Sequence, residues 1–536
     1  MSFVPFFVIA VGASIGALLT RRSSRVSLAL GLGGLAGAFL AALTIQPGEM
    51  LVIGGDALVT TAYQRLFLVL GTASGLLICV VGLATAWQRN VPAALLASLG
   101  WTGLALALPD PTVAVLATIG GGLAGILVTL VTPIDDRGVQ VGARELRAVA
   151  VAGALALAAT TWVVRAAGPA GAAAAPIGLA YLAMVVALAL RFGVIPFHAW
   201  AGRLSQSASE TALPLLLAWA PAGLGVVALA WVESSVAPLA QPLGIERGVV
   251  VAIGALSLVL GTFAAWIQDD VEHVVGYSMA QDAGFIILAL AVLDTAPWEP
   301  ARTWILIFVL AKTALASWAL TLHATYGTRR IDDLTGWARR SPVLGLAFVL
   351  IALATIGWPG SAAWAARVDL IRLAVSDPLG TLIFLGALSS LAYYARLAGI
   401  GLREPSSAVL DRAALRLRWP RSLMRAEDDR AGATGVAGDA LAEAQPLPTI
   451  PDRDRMARGR DLVGQLGSAW RVNRAPTATA VVLGLSLVAL VAAAGGLGIP
   501  EAARGGPPEP AAVVSPLTVA GRPPVVGPPP VASPAP

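Results

Sequence analysis

Long apolar runs separated by short polar segments dominate this chain. Most of them have about the 20 residues that an α-helix needs to cross the hydrocarbon core of a bilayer. Fourteen such runs can be read, at 3–20, 26–43, 66–87, 91–108, 112–131, 148–164, 174–195, 212–232, 248–267, 274–293, 303–324, 341–370, 379–399 and 477–498. The pattern predicts an all-α, polytopic membrane protein of about 14 transmembrane helices.

Composition supports this fold class and excludes several functions. Of 536 residues, 57% are hydrophobic and only 12% are charged, and the mean hydropathy is +0.78, well outside the range of a soluble domain. The single cysteine, Cys79, cannot build a disulfide framework or a multi-cysteine metal or iron–sulfur site. We therefore expect a lipid bilayer as the environment, no nucleic-acid partner, and no metal or cofactor on this chain.

Arginine is distributed asymmetrically between the connecting segments. When the runs alternate across the membrane, the arginine-rich segments fall on one side, namely 21–25, Arg89, 329–340 and 403–474. Because basic loops remain on the cytoplasmic side, this distribution predicts a multi-pass protein of the cell membrane with both termini outside.

Two of the apolar runs are interrupted by proline. The seventh breaks at Pro196 and the twelfth at Pro359, within Gly357-Trp358-Pro359-Gly360. Proline removes a backbone hydrogen bond, and interrupted helices at corresponding places in two halves of a chain indicate an inverted-repeat transporter. We therefore predict two inverted five-helix repeats, each with one broken helix.

These features divide the chain into six regions. They are the N-terminal transmembrane helices (1–89), a first repeat (90–235), a second repeat (247–400), an arginine-rich cytoplasmic segment (401–475), a last transmembrane helix (476–499) and a disordered proline-rich tail (500–536).

Several ionisable residues lie within or beside apolar runs, where charge is costly and usually functional. Lys312, the only lysine of the chain, lies near the middle of the eleventh run, and Asp282 lies inside the tenth. His323 is eleven residues beyond Lys312, about 16 Å along a helix, so that water could connect the two side chains but direct contact could not. His323 could equally be an interfacial residue.

The remaining candidates lie at the breaks and in one acidic turn. Arg191 and His198 flank the first break, and Arg367 follows the second. Arg191 has two interpretations, as a functional charge or as a structural anchor. His198 likewise could transfer protons or could cap the backbone groups that the break leaves free. Glu272 and His273 belong to an acidic turn that we expect to be solvated and cytoplasmic, with uptake of protons as the alternative.

Three ordered motifs resemble one known family. Arg191-Phe-Gly-Val-Ile-Pro-Phe-His-Ala-Trp200, Gln268-Asp-Asp-Val-Glu-His-Val-Val-Gly-Tyr-Ser278 and Ile356-Gly-Trp-Pro-Gly360 before Trp364 are similar to segments of the antiporter-like membrane subunits of NADH-quinone oxidoreductase (complex I), related membrane hydrogenases and Mrp-type cation/proton antiporters. The resemblance covers roughly residues 90–400 and identifies a divergent member.

The resemblance implies a fourteen-helix subunit in which buried lysines, histidines and a glutamate relay protons through water. Lys312 matches the family's eleventh-helix lysine, Arg191 replaces its seventh-helix lysine, and Arg367 occupies its twelfth-helix Lys/Glu position. Pro221 stands in place of the eighth-helix lysine, and the fifth run lacks the family's glutamate. Arginine stays protonated, whereas burial lowers the pKa of a lysine ammonium in general, so Arg191 is expected to be a fixed charge and Lys312 the better relay.

The function implied is that of a membrane subunit of a complex I-like NADH-quinone oxidoreductase that takes part in proton translocation coupled to electron transport. Quinone, flavin and iron–sulfur clusters are then expected on partner subunits, and other membrane subunits of a complex I-like or hydrogenase-like assembly are the expected partners. The alternatives are a non-conducting structural subunit and a stand-alone cation/proton antiporter.

Overall fold

The computed structural model of the protein is a bundle of α-helices. It describes residues 2–53, 56–85, 90–131, 136–166, 174–198, 200–201, 212–239, 243–293, 298–375, 379–404 and 457–505. Most of the expected arginine-rich segment and proline-rich tail, at 405–456 and 506–536, lies outside the described residues.

The first eight helices form one half of the bundle. They are α1 (Phe3–Leu19), α2 (Ser24–Leu43), α3 (Ala62–Ala84), α4 (Val91–Ala107), α5 (Pro111–Val131), α6 (Asp136–Ala166), α7 (Ala174–Phe192) and α8 (Ala220–Trp231). Single π-helical turns, Leu215–Trp219 and Val232–Val236, flank α8. Such turns are rare and often occur at functional sites.

Eight further helices complete the bundle. They are α9 (Gly244–Trp266), α10 (Val271–Leu290), α11 (Glu299–Tyr326), α12 (Pro342–Ile356), α13 (Ala362–Ala374), α14 (Leu379–Leu388), α15 (Leu391–Leu402) and α16 (Ala457–Ala494). Short helical segments at Ala237–Leu239, Ile331–Leu334, Trp337–Arg340 and Ile499–Gly505 connect or follow them. α16 begins well before the predicted run at 477 and continues through Pro476.

A short β-hairpin between α2 and α3 departs from the all-α prediction. β1 (Met50–Ile53) pairs antiparallel with β2 (Asp56–Val59), in a register that places Met50 opposite Val59. The two strands have four residues each, too short to cross a membrane, so the apolar runs do not predict them. The protein is therefore mostly helical rather than wholly helical.

The helices are long and apolar enough to make this a multi-pass membrane protein. Among the described residues, nine helices satisfy both conditions, one bent pair (Ile331–Arg340 with Pro342–Ile356) satisfies them jointly, and four shorter apolar helices accompany them. The predicted seventh and twelfth runs are represented by shorter helices because each ends at a break.

Helix α11 occupies the centre of the bundle. It packs against α3, α10, α12, α13 and α16, and its most apolar window is completely buried within the protein, whereas α9 and α16 bury only about two fifths of theirs. A polar side chain midway along α11 therefore faces protein rather than lipid, which is where charge at membrane depth is tolerated.

The first break follows Arg191. α7 ends at Phe192, and Gly193 then adopts a left-handed conformation with φ of 62°. The chain turns back inside the protein, because Val194 N–H donates to Ala189 O at 3.0 Å and Trp200 Nε1 donates to Leu190 O at 2.8 Å. The break thus starts three residues before Pro196, and its freed carbonyl groups find partners within the chain.

The second break separates α12 from α13. Gly357 ends α12 with φ of 76° and ψ of 169°, a backbone conformation available to glycine almost alone. Ser361 restarts the helix, since its hydroxyl accepts from the backbone N–H of Trp364 at 3.2 Å, as an N-cap residue does. The predicted interruption at Gly357–Gly360 is therefore observed, with a defined stop and a defined restart.

We expect Gly357→Ala to destabilise the protein more than Gly360→Ala does. A β-carbon at Gly357 would lie 2.7 Å from Trp364 N, whereas at Gly360, also left-handed with φ of 91°, it would have no neighbour within 4 Å. Backbone strain alone is worth about 1–3 kcal/mol, and the clash adds to it only at Gly357. Thermal unfolding of the two purified variants checks this, and equal losses would contradict the second-break geometry.

Candidate functional site: buried charges beside the two helix breaks

A buried ion pair lies at the centre of the bundle. Lys312 Nζ of α11 lies 2.6 Å from Asp282 Oδ2 of α10, and both side chains are at most 1% exposed. Beyond this ion pair, neither Lys312 Nζ nor the carboxylate oxygens of Asp282 have a hydrogen-bond partner in the described part of the chain. Two residues predicted separately from the sequence are thus brought together.

The partners of this pair are held by neighbouring polar contacts. Trp304 Nε1 donates to Asp282 O at 3.1 Å, which fixes α10 against α11 at the level of the carboxylate. Next to Lys312, the hydroxyl of Thr313 accepts from Trp219 Nε1 at 2.9 Å, and Trp219 belongs to the first π-helical turn. The ion pair is therefore tied to both halves of the bundle.

Arg367 of α13 donates hydrogen bonds across the second break to the end of α12. Its Nη1 donates to Thr355 O at 3.2 Å and to Ile356 O at 2.6 Å, and its Nη2 donates to Ala387 O at 3.3 Å. The first two are last-turn carbonyl groups of α12, which have no partner within the helix and carry its negative dipole end.

The same guanidinium group faces the central ion pair. It lies 4.7 Å from the ring centroid of Phe285 and 5.6 Å from that of Trp304, and Asp282 interacts with it electrostatically. Asp282 is therefore placed between a lysine, which can release a proton, and an arginine, which cannot.

Glu272 is buried, so the expectation of a solvated turn is wrong for this residue. Its side chain is 3% exposed, its Oε1 lies 2.5 Å from Arg329 Nε, and His323 Nδ1 is 3.9 Å away. The cause is a backbone bridge, in which Val271 N–H donates to Arg329 O at 3.0 Å and draws the 327–331 segment over the start of α10. Its neighbour Asp269 is 75% exposed and does fit the expectation.

His323 and Arg329 complete this cluster at one end of α11. Arg329 Nε lies 3.3 Å from His323 Nδ1, so that the imidazole nitrogen accepts while it is unprotonated. The side chains of His323 and Arg329 are about one third exposed. The cluster therefore joins a buried carboxylate to the surface.

Arg191 is also buried, and its electrostatic partner is Glu145, which was not predicted from the sequence. Arg191 is 4% exposed, and Glu145 of α6 is fully buried and interacts with it electrostatically. Both side chains lie against glycines of α5, the guanidinium group at Gly122 and the carboxylate at Gly125. This burial is inconsistent with a helix-end arginine whose side chain extends to the membrane surface, and the interpretation of Arg191 as a structural anchor stays a prediction.

The two other histidines, His198 and His273, make fewer polar contacts in the described part of the chain. His198 lies beside the first break, 6.1 Å between ring centroids from Tyr277, and its Nδ1 is buried with no hydrogen-bond partner among the described residues. His273 follows Glu272 and is half-buried, with no hydrogen bond or ion pair to the part of the chain that the structure describes. No group of three or more His, Cys, Asp or Glu side chains within the described ranges could hold a metal ion.

A bundle of apolar helices with two interrupted helices and buried, oppositely charged residues beside them is typical of a membrane transporter. Residues 149–392 match the family model described as "NADH:quinone oxidoreductase/Mrp antiporter, TM". Two similar curated proteins are NADH-quinone oxidoreductase subunit N 1 of Streptomyces griseus, 27% identical over 232 residues, and subunit N 2 of Solidesulfovibrio magneticus, 27% identical over 239 residues.

These alignments cover 43% and 44% of this chain and 47% and 48% of the relatives, so the chain spans about half the length of the curated relatives it matches. They confirm the family resemblance drawn from the three motifs. Over these ranges the chain is similar to NADH-quinone oxidoreductase subunit N.

Solved structures share the fold over nearly the whole chain. A chain of respiratory complex I from Thermus thermophilus superposes with a TM-score of 0.63 and 19% identity, covering 94% of this chain and 100% of that one. A chain of the Mrp complex from Dietzia sp. superposes with a TM-score of 0.67 and 18% identity, covering 94% and 96%. At this identity the likeness establishes the fold.

Proposed function

We propose that this protein is a membrane subunit of a complex I-like NADH-quinone oxidoreductase and takes part in proton translocation coupled to electron transport. The observation that carries the proposal is the Lys312–Asp282 ion pair, enclosed at the centre of the bundle at 2.6 Å. A proton cannot rest in hydrocarbon, so it must pass between titratable groups inside the protein. The family resemblance and the subunit N relatives support the same function.

Buried polar groups lie along α10 and α11 between this pair and the Glu272–His323–Arg329 cluster. Gln281 Nε2 of α10 and Trp318 Nε1 of α11 are buried without a hydrogen-bond partner among the described residues, and Tyr393 OH donates to Gln281 Oε1 at 3.0 Å. Buried polar groups that lack a protein partner commonly bind water. Water on these groups would connect the ion pair to the side that the arginine distribution predicts to be cytoplasmic.

Two groups of residues have different chemical roles in this proposal. Lys312 and Asp282 exchange the proton, with Glu272, His273 and His323 on the uptake side. Arg191 beside Glu145, and Arg367 beside Asp282, act as fixed positive charges that bias the neighbouring carboxylates because arginine does not release its proton. His198 lies at the first break, where a proton could pass from it to neighbouring water.

The proposal includes the topology and the assembly. The nine long helices, the bent pair and the four shorter apolar helices support fourteen crossings, with two inverted repeats at 90–235 and 247–400 and both termini outside the cell membrane. Quinone, flavin and iron–sulfur clusters belong to partner subunits, and this chain contacts other membrane subunits of the assembly.

A structural subunit that no longer conducts is the second candidate. It is favoured by Pro221, which occupies the family's eighth-helix lysine position within α8, and by arginine at position 191. A stand-alone antiporter has less support, because in the described residues the buried carboxylates Glu145, Asp282 and Glu272 are each matched to a cation rather than grouped as an ion site.

The test is purification of the assembly through a tag on this chain, followed by reconstitution into vesicles. We expect electron-transfer subunits to co-purify, and Glu272→Gln to slow proton translocation several-fold because the buried carboxylate is lost. Asp269→Asn, a matched change at an exposed acid three residues earlier, should leave translocation unchanged. Purification without electron-transfer subunits would contradict the proposed assembly, and equal rates for the two variants would remove Glu272 from the pathway.

A further inference from the structure

Two adjacent charged residues at the start of α9 contact both interrupted helices. The carboxylate of Glu246 lies against α7, where it occupies the space that a β-carbon at Gly178 would need. Arg247 Nη2 donates to Leu373 O at 3.1 Å and to Ala374 O at 3.2 Å. These are the last two residues of α13, so neighbouring residues on one helix reach the broken helix of each half.

The contacts converge at the end of the bundle opposite the Glu272 cluster. Tyr181 of α7 interacts electrostatically with both Glu246 and Arg247, and its hydroxyl donates to Leu290 O, at the end of α10, at 2.7 Å. Tyr181 is fully buried, and Glu246 and Arg247 are half-buried. The two charges are therefore shielded in part from solvent, which strengthens their interactions relative to surface ion pairs.

Each interrupted helix carries one buried arginine at its broken end and meets this charged pair near its other end. α7 has Arg191 in its last turn and Gly178 in its second turn, and α13 has Arg367 in its second turn and ends at Ala374. A half-helix has no continuous helical backbone beyond its break. Contacts at the intact end therefore contribute to its position in the membrane, and a cation is favoured at the C-terminal carbonyl groups of α13.

We infer that Glu246 and Arg247 are positioning residues that link α7 to α13, so that a displacement of one broken helix moves the other. Through this link, a movement of Arg191 with α7 changes the position of Arg367 relative to Asp282. Coupling between two sites is reciprocal, so a change at Arg367 must also affect α7. The bearing of this link on translocation rests on the proposed function, whereas the mechanical link itself does not.

Hydrogen–deuterium exchange of the purified assembly containing the full chain tests the link without any measurement of transport. Arg191→Lys perturbs the first half, and exchange is followed in peptides covering 362–375 of α13. When Arg247 is present, we expect Arg191→Lys to change the exchange rate of these peptides several-fold. The change should be similar when Arg247→Lys is also present, because lysine keeps one charged donor, and absent when Arg247→Met is also present. Gly178→Ala, which displaces Glu246, should remove the effect as Arg247→Met does.

The reverse experiment uses Arg367→Lys and follows exchange in 174–192 of α7, with the same dependence on Arg247. The inference is overturned if Arg191→Lys leaves α13 unchanged in the unaltered background, or if its effect persists in Arg247→Met. Because exchange is measured without electron transfer, a protein that fails to pump but shows the linked response would contradict the proposed function alone.

Discussion

Lys312→Ala is expected to destabilise the protein and to abolish the contribution of this subunit to proton translocation. The substitution leaves Asp282 as a buried carboxylate without its ammonium partner, in a site where both side chains are at most 1% exposed. Breaking a buried ion pair by removing one partner costs about 3–5 kcal/mol. Thermal unfolding of the purified assembly measures the loss of stability, and vesicle acidification driven by electron transfer measures translocation.

The control for this prediction is removal of both charges. Replacing a buried ion pair by apolar residues of similar volume is often neutral or stabilising, so Lys312→Met combined with Asp282→Leu should recover most of the stability. If the single and double variants were equally unstable, Lys312 and Asp282 would contribute by packing and not as an ion pair.

Arg367→Met is expected to loosen the second break. The substitution removes the donor to Thr355 O, Ile356 O and Ala387 O, and each bond to a charged group is worth about 1.5–3 kcal/mol. We expect a total loss of at least about 3 kcal/mol, and an intermediate loss for Arg367→Lys because an ammonium group cannot span three carbonyl groups in the same way. Thermal unfolding and exchange of the amides at 351–357 measure both effects.

Arg372→Met is the matched control on the same helix. Arg372 lies five residues further along α13 and is exposed, so its replacement should change the unfolding temperature little. Equal effects of the two substitutions would contradict the assignment of Arg367 as the residue that satisfies the C-terminal carbonyl groups of α12.

The sequence predicts the fold class and the breaks well because both depend on local composition. An apolar run reveals a membrane helix by length, and Gly357-Trp358-Pro359-Gly360 combines two glycines with a proline, residues that destabilise a helix interior. The hairpin at Met50–Val59 was missed because its two strands are four residues each and carry no signal of membrane length.

The sequence predicts the site less completely because pairing of side chains depends on how helices pack. Asp282 and Lys312 were selected one by one as charges within apolar runs, and their contact became visible only in the structure. Glu145 was missed because it lies between Arg144 and Arg147, three residues before the predicted sixth run, so that it read as part of a polar connection. In the structure α6 begins at Asp136, so Glu145 lies within the helix, where its carboxylate faces Gly125 of α5.

Glu272 was expected in a solvated turn, but its side chain is buried. Its neighbours Asp269 and Asp270 form a typical helix start, and Asp270 indeed caps α10 by accepting from the backbone N–H of Glu272 at 2.9 Å. Nothing in that local pattern indicates that the 327–331 segment would fold back and bury Glu272 beneath Arg329. A backbone contact between segments that lie far apart in the sequence cannot be predicted from a local sequence pattern.

The proton-to-electron ratio of the assembly carrying Lys312→Met with Asp282→Leu tests the central claim most directly. The double variant is expected to assemble and to transfer electrons, since it removes both charges of the ion pair together and Arg367 keeps its three carbonyl acceptors. If Lys312 and Asp282 relay protons, the ratio falls below that of the unaltered assembly. An unchanged ratio in a stable assembly would contradict the relay and would identify the chain as a structural subunit.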